Sequence, residues 1–465
     1  MRELDFKNCE HSKDPLVSCA LEGVANIIAG IRDVAIVVHS PQGCAATVAA
    51  AYDHHEIDFT HRKIACSRLF ETDIILGATE KLKQLLLQAD QTFHTKVLFV
   101  IGTCAADIIG EDLEAVCRMT QSQVGAKLIP VMAGGFRGNA YEGMNIGLSA
   151  LLPFIEPRTA SARKSGTRPK VNLLLPQASV NPTWWADEAW VRSVLDRMDV
   201  DVLATIPRDL SLETLARVAD ADACLLLSHD AGYSFAEGLE KRGVPLILGD
   251  IPLPVGVENT GRWLRALGKH FGKEDAAEAI IAEGEAKVVE ILRKRGLMII
   301  PRYRNAHLAI SADCTFGIPL VRALFRELEM IPEVLLFRGD TPQARKLLEA
   351  ELRELQIDPQ VVFAADGWKI RSALRNARVD AVLGSSWEKF MAEELGIKIA
   401  FDVFNPTSRD LYLDRPYFGY EGFLCLLEAI GNDWETAFRS KEIAWEQFRK
   451  NNPQNNPQKK TQDSL

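Results

Sequence analysis

The chain reads as an α/β protein of three Rossmann-like, doubly wound domains with parallel sheets. Two observations predict this. Short apolar runs alternate with helix-length amphipathic segments in three successive stretches. The longest apolar runs, such as Val34 to Val38 and Val97 to Ile101, are strand-length and nearly uniform, as strands buried on both faces are. The first stretch supplies strands at Val34 to Val38, Val97 to Ile101 and Leu128 to Val131. The second alternates strands at Val171 to Leu175, Val202 to Ile206 and Ala223 to Leu227 with helices at Trp184 to Met198, Leu212 to Ala219 and Phe235 to Arg242. A long charged helix, Asp275 to Arg295, leads to the third, with strands at His307 to Ser311, Val334 to Phe337, Val361 to Ala364, Ala381 to Gly384 and Lys398 to Phe401.

Ser161 to Lys170 is polar, basic and without apolar periodicity, as a linker is. The resulting division is an N-terminal α/β domain over 1–165, a second over 166–300 and a third over 301–450. The polar, low-complexity tail 451–465 is too poor in apolar residues to pack and reads as disordered.

With 465 residues, 47% of them hydrophobic, the chain can bury a core in each domain. No apolar stretch approaches the roughly 20 residues of a membrane helix. The charged start, Met1-Arg2-Glu3-Leu4-Asp5, lacks a leader's apolar region, so a cytoplasmic location is expected. A net charge of -9 without a basic block excludes the electrostatic footprint of nucleic-acid binding. Neither a Walker-type loop nor a G-x-S-x-G elbow occurs, which argues against ATP binding through a P-loop and against a serine nucleophile.

Nine cysteines in a reducing compartment are core fillers or metal and redox ligands. In open α/β sheets ligands bind beyond the carboxyl ends of the strands. That rule selects Cys44, closing the loop His39-Ser40-Pro41-Gln42-Gly43-Cys44, where Gly43 removes bulk from a close approach, and Cys104, directly after Gly102-Thr103. Cys19 starts an amphipathic helix whose amides can support a thiolate or a sulfide. The three lie far apart in the chain, unlike the tight pairs of zinc ribbons, so they would come from separate loops. Three thiolates leave an iron-sulfur cluster under-coordinated, which places further ligands in another subunit. Cys224, Cys117 and Cys425 read as core, Cys314 and Cys66 have no partner pattern, and Cys9 is undecided. His229 follows a strand and could line a pocket, whereas His54 and His55, being adjacent, cannot both point into one site from a regular element.

Together Cys19 with Ala20 to Gly23, His39 to Cys44, and Thr103-Cys104-Ala105-Ala106-Asp107 through Asp112 resemble the nitrogenase component 1 family. Glu71 to Gly77, Gly134-Gly135-Phe136-Arg137-Gly138 and Arg415 to Gly422 extend the similarity over most of the chain, and Val403 to Pro406 with Asp410 to Arg415 is similar to the β-type subunit. The resemblance implies a nitrogenase component 1-like fold and an α2β2 heterotetramer. Cys19, Cys44 and Cys104 would hold half of an 8Fe-7S P-cluster shared with an α-like subunit. That partner would carry the active-site iron-sulfur cofactor on a Cys and a His, a pair missing here from Leu227 to Asp230 and Asn405 to Arg415. Leu76 falls where the family docks its ATP-dependent iron-sulfur reductase homodimer. The molybdenum-type β chain has a longer N-terminal extension and a Ser where this chain has Gly135. With the His-Ser-Pro-Gln-Gly-Cys loop, these departures point to the methylthio-alkane reductases rather than to nitrogen-fixing enzymes. The alternatives are a β subunit of a true or alternative nitrogenase, a cofactor-assembly scaffold, and a small-molecule binding module with core cysteines.

Cys44→Ala and Cys104→Ala are expected to lose iron. Cys224→Ala should keep it and cost on the order of 1 kcal/mol in packing. Iron analysis of the three variants against the parent chain checks the assignment, and equal iron in all of them would refute it.

Overall fold

The computed structural model describes residues 2–3, 17–158, 168–177, 180–296 and 303–440. Most of the expected linker, the expected tail and Cys9 fall outside the described residues. The strands, in chain order, are β1 Arg2–Glu3, β2 Val34–His39, β3 Ile64–Cys66, β4 Val97–Gly102, β5 Lys127–Met132, β6 Lys170–Leu174, β7 Asp201–Ile206, β8 Ala223–Leu226, β9 Leu246–Ile247, β10 His307–Ala312, β11 Ile331–Phe337, β12 Gln360–Val362, β13 Ala381–Gly384 and β14 Ile399–Asp402. They form three sheets in the orders β3-β2-β4-β5, β7-β6-β8-β9 and β1-β12-β11-β10-β13-β14. Every pairing is parallel. The three-sheet, doubly wound α/β architecture is the one the sequence pattern implies.

The expected strands match to within a few residues at their ends. The short strands β1, β3 and β9 carry too few residues to leave an apolar run and were not anticipated. β1 pairs with Gln360 and Val361 of β12, so it extends the third sheet rather than the first. The charged helix expected over Asp275 to Arg295 is Glu274–Ile291, continued by a wider turn over Leu292–Gly296.

Two features of the first sheet create its functional edge. β2 is flanked by β3 on one side and by β4 on the other, which makes the β2/β4 boundary the topological switch point. The register runs from Val34 beside Val97 to His39 beside Gly102, so the two strands end level. Thr103 Oγ1 donates to the His39 carbonyl at 3.2 Å and ties the two ends together.

A close helix crossing completes the edge. Helices Ala20–Ile28 and Ala140–Leu151 meet so tightly that a Cβ on Gly23 would lie 1.9 Å from the Ala140 carbonyl oxygen, and one on Gly143 2.1 Å from that of Ala20. Ala20 N–H donates to the Gly138 carbonyl at 3.1 Å, and Cys19 bridges Asn139. Helix Gln42–His54 is held to the same pair, because His54 Nδ1 meets Asn26 Oδ1 at 2.9 Å and His55 Nε2 meets the Asn26 carbonyl at 2.6 Å. His54 and His55 thus touch different atoms of one asparagine.

Gly143→Ala is expected to force the crossing apart, lowering stability by about 1–3 kcal/mol. Gly43→Ala, whose Cβ would meet nothing within 4 Å, should change it by less than about 0.5 kcal/mol. Chemical denaturation of the two variants reads the contrast.

Candidate functional site

The site is the carboxyl edge of the first sheet. Cys104 opens helix Cys104–Ile109 directly after β4, with Thr103 at its N-cap. Cys44 stands one strand away, but not at the end of a loop as its sequence setting implied: helix Gln42–His54 begins two residues earlier, so Cys44 lies in its first turn. Pro41 precedes that helix; proline suits such a start because it fixes φ. Cys19 caps helix Ala20–Ile28 with extended backbone, φ -77° and ψ 172°.

The 3-10 turn Gly135–Arg137 links Cys19 to Cys104. A Cβ on Gly135 would sit 3.4 Å from both Cys104 Sγ and Cys19 Cβ. The Gly135 N–H donates to Cys104 Sγ at 2.9 Å. Arg137 Nη2 donates to Asp107 Oδ1 at 3.1 Å, fastening this turn to the helix that bears Cys104. Asp112 belongs to the next helix, Leu113–Thr120, and caps it through the Ala115 N–H at 2.9 Å.

Cys19, Cys44 and Cys104 are all partly exposed, whereas Cys117, Cys224 and Cys314 are buried. Burial pushes the Cys117 and Cys224 thiols up to about 12, as inert core cysteines require. Cys44 is also pushed up, first by burial and then by its neighbours Cys19, Cys104 and Cys66. Sequence reasoning left Cys66 without a partner, and the fold supplies the neighbourhood. Its strand β3 lies beside β2, and its Sγ sits 3.5 Å from the Ser40 carbonyl oxygen and accepts from the Arg68 N–H at 3.4 Å. The only cue in the sequence was three residues of strand.

His39 lies beneath these loops, fully buried, with Nε2 3.8 Å from Glu111 Oε2. Burial lowers its pKa against the opposing pull of Glu111. His229 is buried rather than pocket-lining: burial drives its pKa down to about 4, and its Nδ1 meets the Tyr233 hydroxyl at 3.3 Å. Gly43 is exposed, and the space it spares lies outside the chain's own atoms.

An apolar collar lies on the elements that carry and adjoin Cys104. Leu76 is 84% exposed at the end of helix Glu71–Leu76, beside the helix of Cys104. Ile75, Phe70, Ile108 and Phe136 are exposed with it. So much bare apolar surface in one region marks an interaction face.

Among the described residues no three His, Cys, Asp or Glu side chains converge tightly enough to hold one metal ion. Thiolates of a polynuclear cluster bind different irons and stand further apart than ligands of a single ion, whose metal–sulfur bonds are about 2.3 Å. Neighbouring thiols, one already accepting a backbone N–H, form a soft donor set suited to such a cluster.

The chain, a parallel three-sheet α/β protein with thiols at a switch point, belongs to the nitrogenase component 1 type oxidoreductases, whose family model matches residues 19–435. It is 26% identical over 453 residues to the nitrogenase vanadium-iron protein beta chain of Trichormus variabilis, covering 90% of this chain and 93% of the relative. It is 29% identical over 431 residues to the nitrogenase molybdenum-iron protein alpha chain of Methanococcus maripaludis, covering 89% and 85%. A further relative, the cofactor biosynthesis protein NifE of the same species, is 24% identical over 427 residues, covering 88% and 81%. The solved structure of nitrogenase Cp1 at pH 6.5 shares the fold with a TM-score of 0.77 and 19% identity, over 96% of this chain and 97% of that one. Alpha, beta and biosynthetic chains all appear among the relatives, so the similarity defines the family and leaves the subunit type to other arguments.

Proposed function

We propose that this chain is the β-like subunit of a cytoplasmic, α2β2 nitrogenase-like reductase, in which Cys19, Cys44 and Cys104 hold half of a P-cluster-type iron-sulfur group shared with an α-like partner. The observation that carries this reading is the meeting of three partly exposed thiols at one switch point beside an exposed apolar collar. When bound, such a cluster takes up and passes on electrons. The chain's own part is to present thiolates, to donate the Gly135 N–H to Cys104 Sγ, and to bury the collar against a partner so that the site stays dry. Leu76 and Ile75 would meet the ATP-dependent reductase that supplies the electrons.

For the substrate, the reading is reductive C–S cleavage of methylthio-alkanes in the partner's cofactor site. Each turnover takes two electrons and two protons and converts R–S–CH3 into R–H and methanethiol. Gly135, standing where the molybdenum-type β chain has a Ser, supports this choice. The similarity to NifE keeps a second reading, a scaffold on which a cofactor is assembled and handed on.

Gas chromatography of the complex supplied with its reductase, ATP and ethyl methyl sulfide is expected to show ethane and methanethiol in equal amounts. Ammonia from dinitrogen without C–S cleavage would select the nitrogenase alternative. A transferable cofactor without turnover would select the scaffold.

A further inference from the structure

The turn between Cys19 and Cys104 is tied down at two points outside itself. Within the turn, Arg137 N–H donates to the Gly134 carbonyl at 2.9 Å and Gly138 N–H to the Gly135 carbonyl at 3.4 Å. At one end the Gly138 carbonyl accepts from Ala20 N–H at 3.1 Å, which fixes the turn to the helix that Cys19 caps. On the other side Arg137 Nη2 donates to Asp107 Oδ1 at 3.1 Å, which fixes it to the helix of Cys104. Between these ties the Gly135 N–H meets Cys104 Sγ at 2.9 Å.

Asp107 is pressed against the turn. A Cβ on Gly134 would lie 2.1 Å from Asp107 Oδ2 and 3.2 Å from the Cys104 backbone nitrogen, so glycine is needed for the carboxylate to fit. That oxygen is buried without a hydrogen-bond partner, and Arg137 is the only cation paired with the carboxylate among the described residues. Asp107 stands three residues after Cys104 on one helix, a spacing that makes side chains neighbours. An acid so placed opposes negative charge on the sulfur, and the Arg137 guanidinium offsets it. The pair is partly exposed, a setting in which ion pairs add little to folding. Its consequences are local: the aim of the Gly135 N–H and the charge beside Cys104.

We propose that Arg137 and Asp107 are positioning residues that set the reduction potential of the group held by Cys104, Arg137 by aiming the Gly135 N–H at Sγ and by offsetting the Asp107 carboxylate. The inference rests on the reading that Cys104 is a cluster ligand. An N–H donated to a ligating sulfur, and positive charge beside it, favour the reduced, more negative state and raise the potential, whereas an unpaired carboxylate lowers it.

The two residues should therefore act with opposite sign in a redox titration of the complex followed by electron paramagnetic resonance. Arg137→Gln loosens the turn and leaves Asp107 uncompensated, so at the parent's midpoint the oxidised-to-reduced ratio should rise at least threefold. Asp107→Asn keeps an acceptor for Arg137 and removes the negative charge, so the ratio should fall at least threefold. Arg118→Gln, which breaks an exposed pair with Glu114 on the next helix, should leave it unchanged. Amide hydrogen exchange at Gly135 in the cluster-free, full-length chain reads the positioning without iron. It should be at least tenfold faster in Arg137→Gln and within twofold of the parent in Asp107→Asn. Parent-like midpoints in both variants at parent iron content, shifts of the same sign, or parent-like Gly135 exchange in Arg137→Gln would overturn the inference. If Arg137→Gln loses iron, Asp107→Asn carries the potential test, and a parent-like midpoint there overturns it. An iron-free parent complex would instead overturn the cluster reading beneath it.

Discussion

The contact on which the candidate cluster site depends is the crossing of helices Ala20–Ile28 and Ala140–Leu151 at Gly23 and Gly143. Each glycine faces a backbone carbonyl of the other helix where no Cβ could fit. That approach lays Cys19 against Asn139 and Gly135, and so against Cys104, at the far side of the crevice between β2 and β4. Asn26, one turn along the first helix, then fixes helix Gln42–His54 through His54 and His55, and with it Cys44. Three thiols carried by three separate helices are in this way positioned by backbone packing rather than by one another.

That independence matters because the thiols do not favour each other's company. Burial raises the cost of ionising Cys44, and the neighbouring cysteines add to it. Positive charge from bound iron would favour the thiolate forms and so offset that cost. Holding such groups together therefore falls to the rigid crossing and to the level ends of β2 and β4. The apolar collar of Ile75, Leu76, Ile108 and Phe136 adds a second requirement: a surface so bare gains most when another chain covers it and keeps water from the three thiols.

Much of this was legible in the sequence because parallel strands buried on both faces announce themselves as continuous apolar runs. Val34 to Val38 and Val97 to Ile101 could be placed almost to the residue, and the strand-end rule then led to Cys44 and Cys104 without reference to any relative. Cys19 was readable as a helix start. The glycine crossing was not, since Gly23 and Gly143 are ordinary helix residues until their helices are known to touch. Cys66 was missed because β3 is three residues long, and its neighbours Ser40 and Cys44 come from a different strand and helix. His229 follows a strand as pocket residues do, yet the packing of the second and third parts of the chain closes over it.

The central claim is that Cys19, Cys44 and Cys104 hold a polynuclear iron-sulfur group at an interface. Its most direct test is anaerobic co-purification with the α-like partner, followed by iron and sulfide counts and electron paramagnetic resonance of the oxidised and reduced complex. The account predicts about eight irons per αβ pair beyond the partner's cofactor, with a redox-dependent signal. A colourless, iron-free monomer would contradict it and return the three cysteines to ordinary packing.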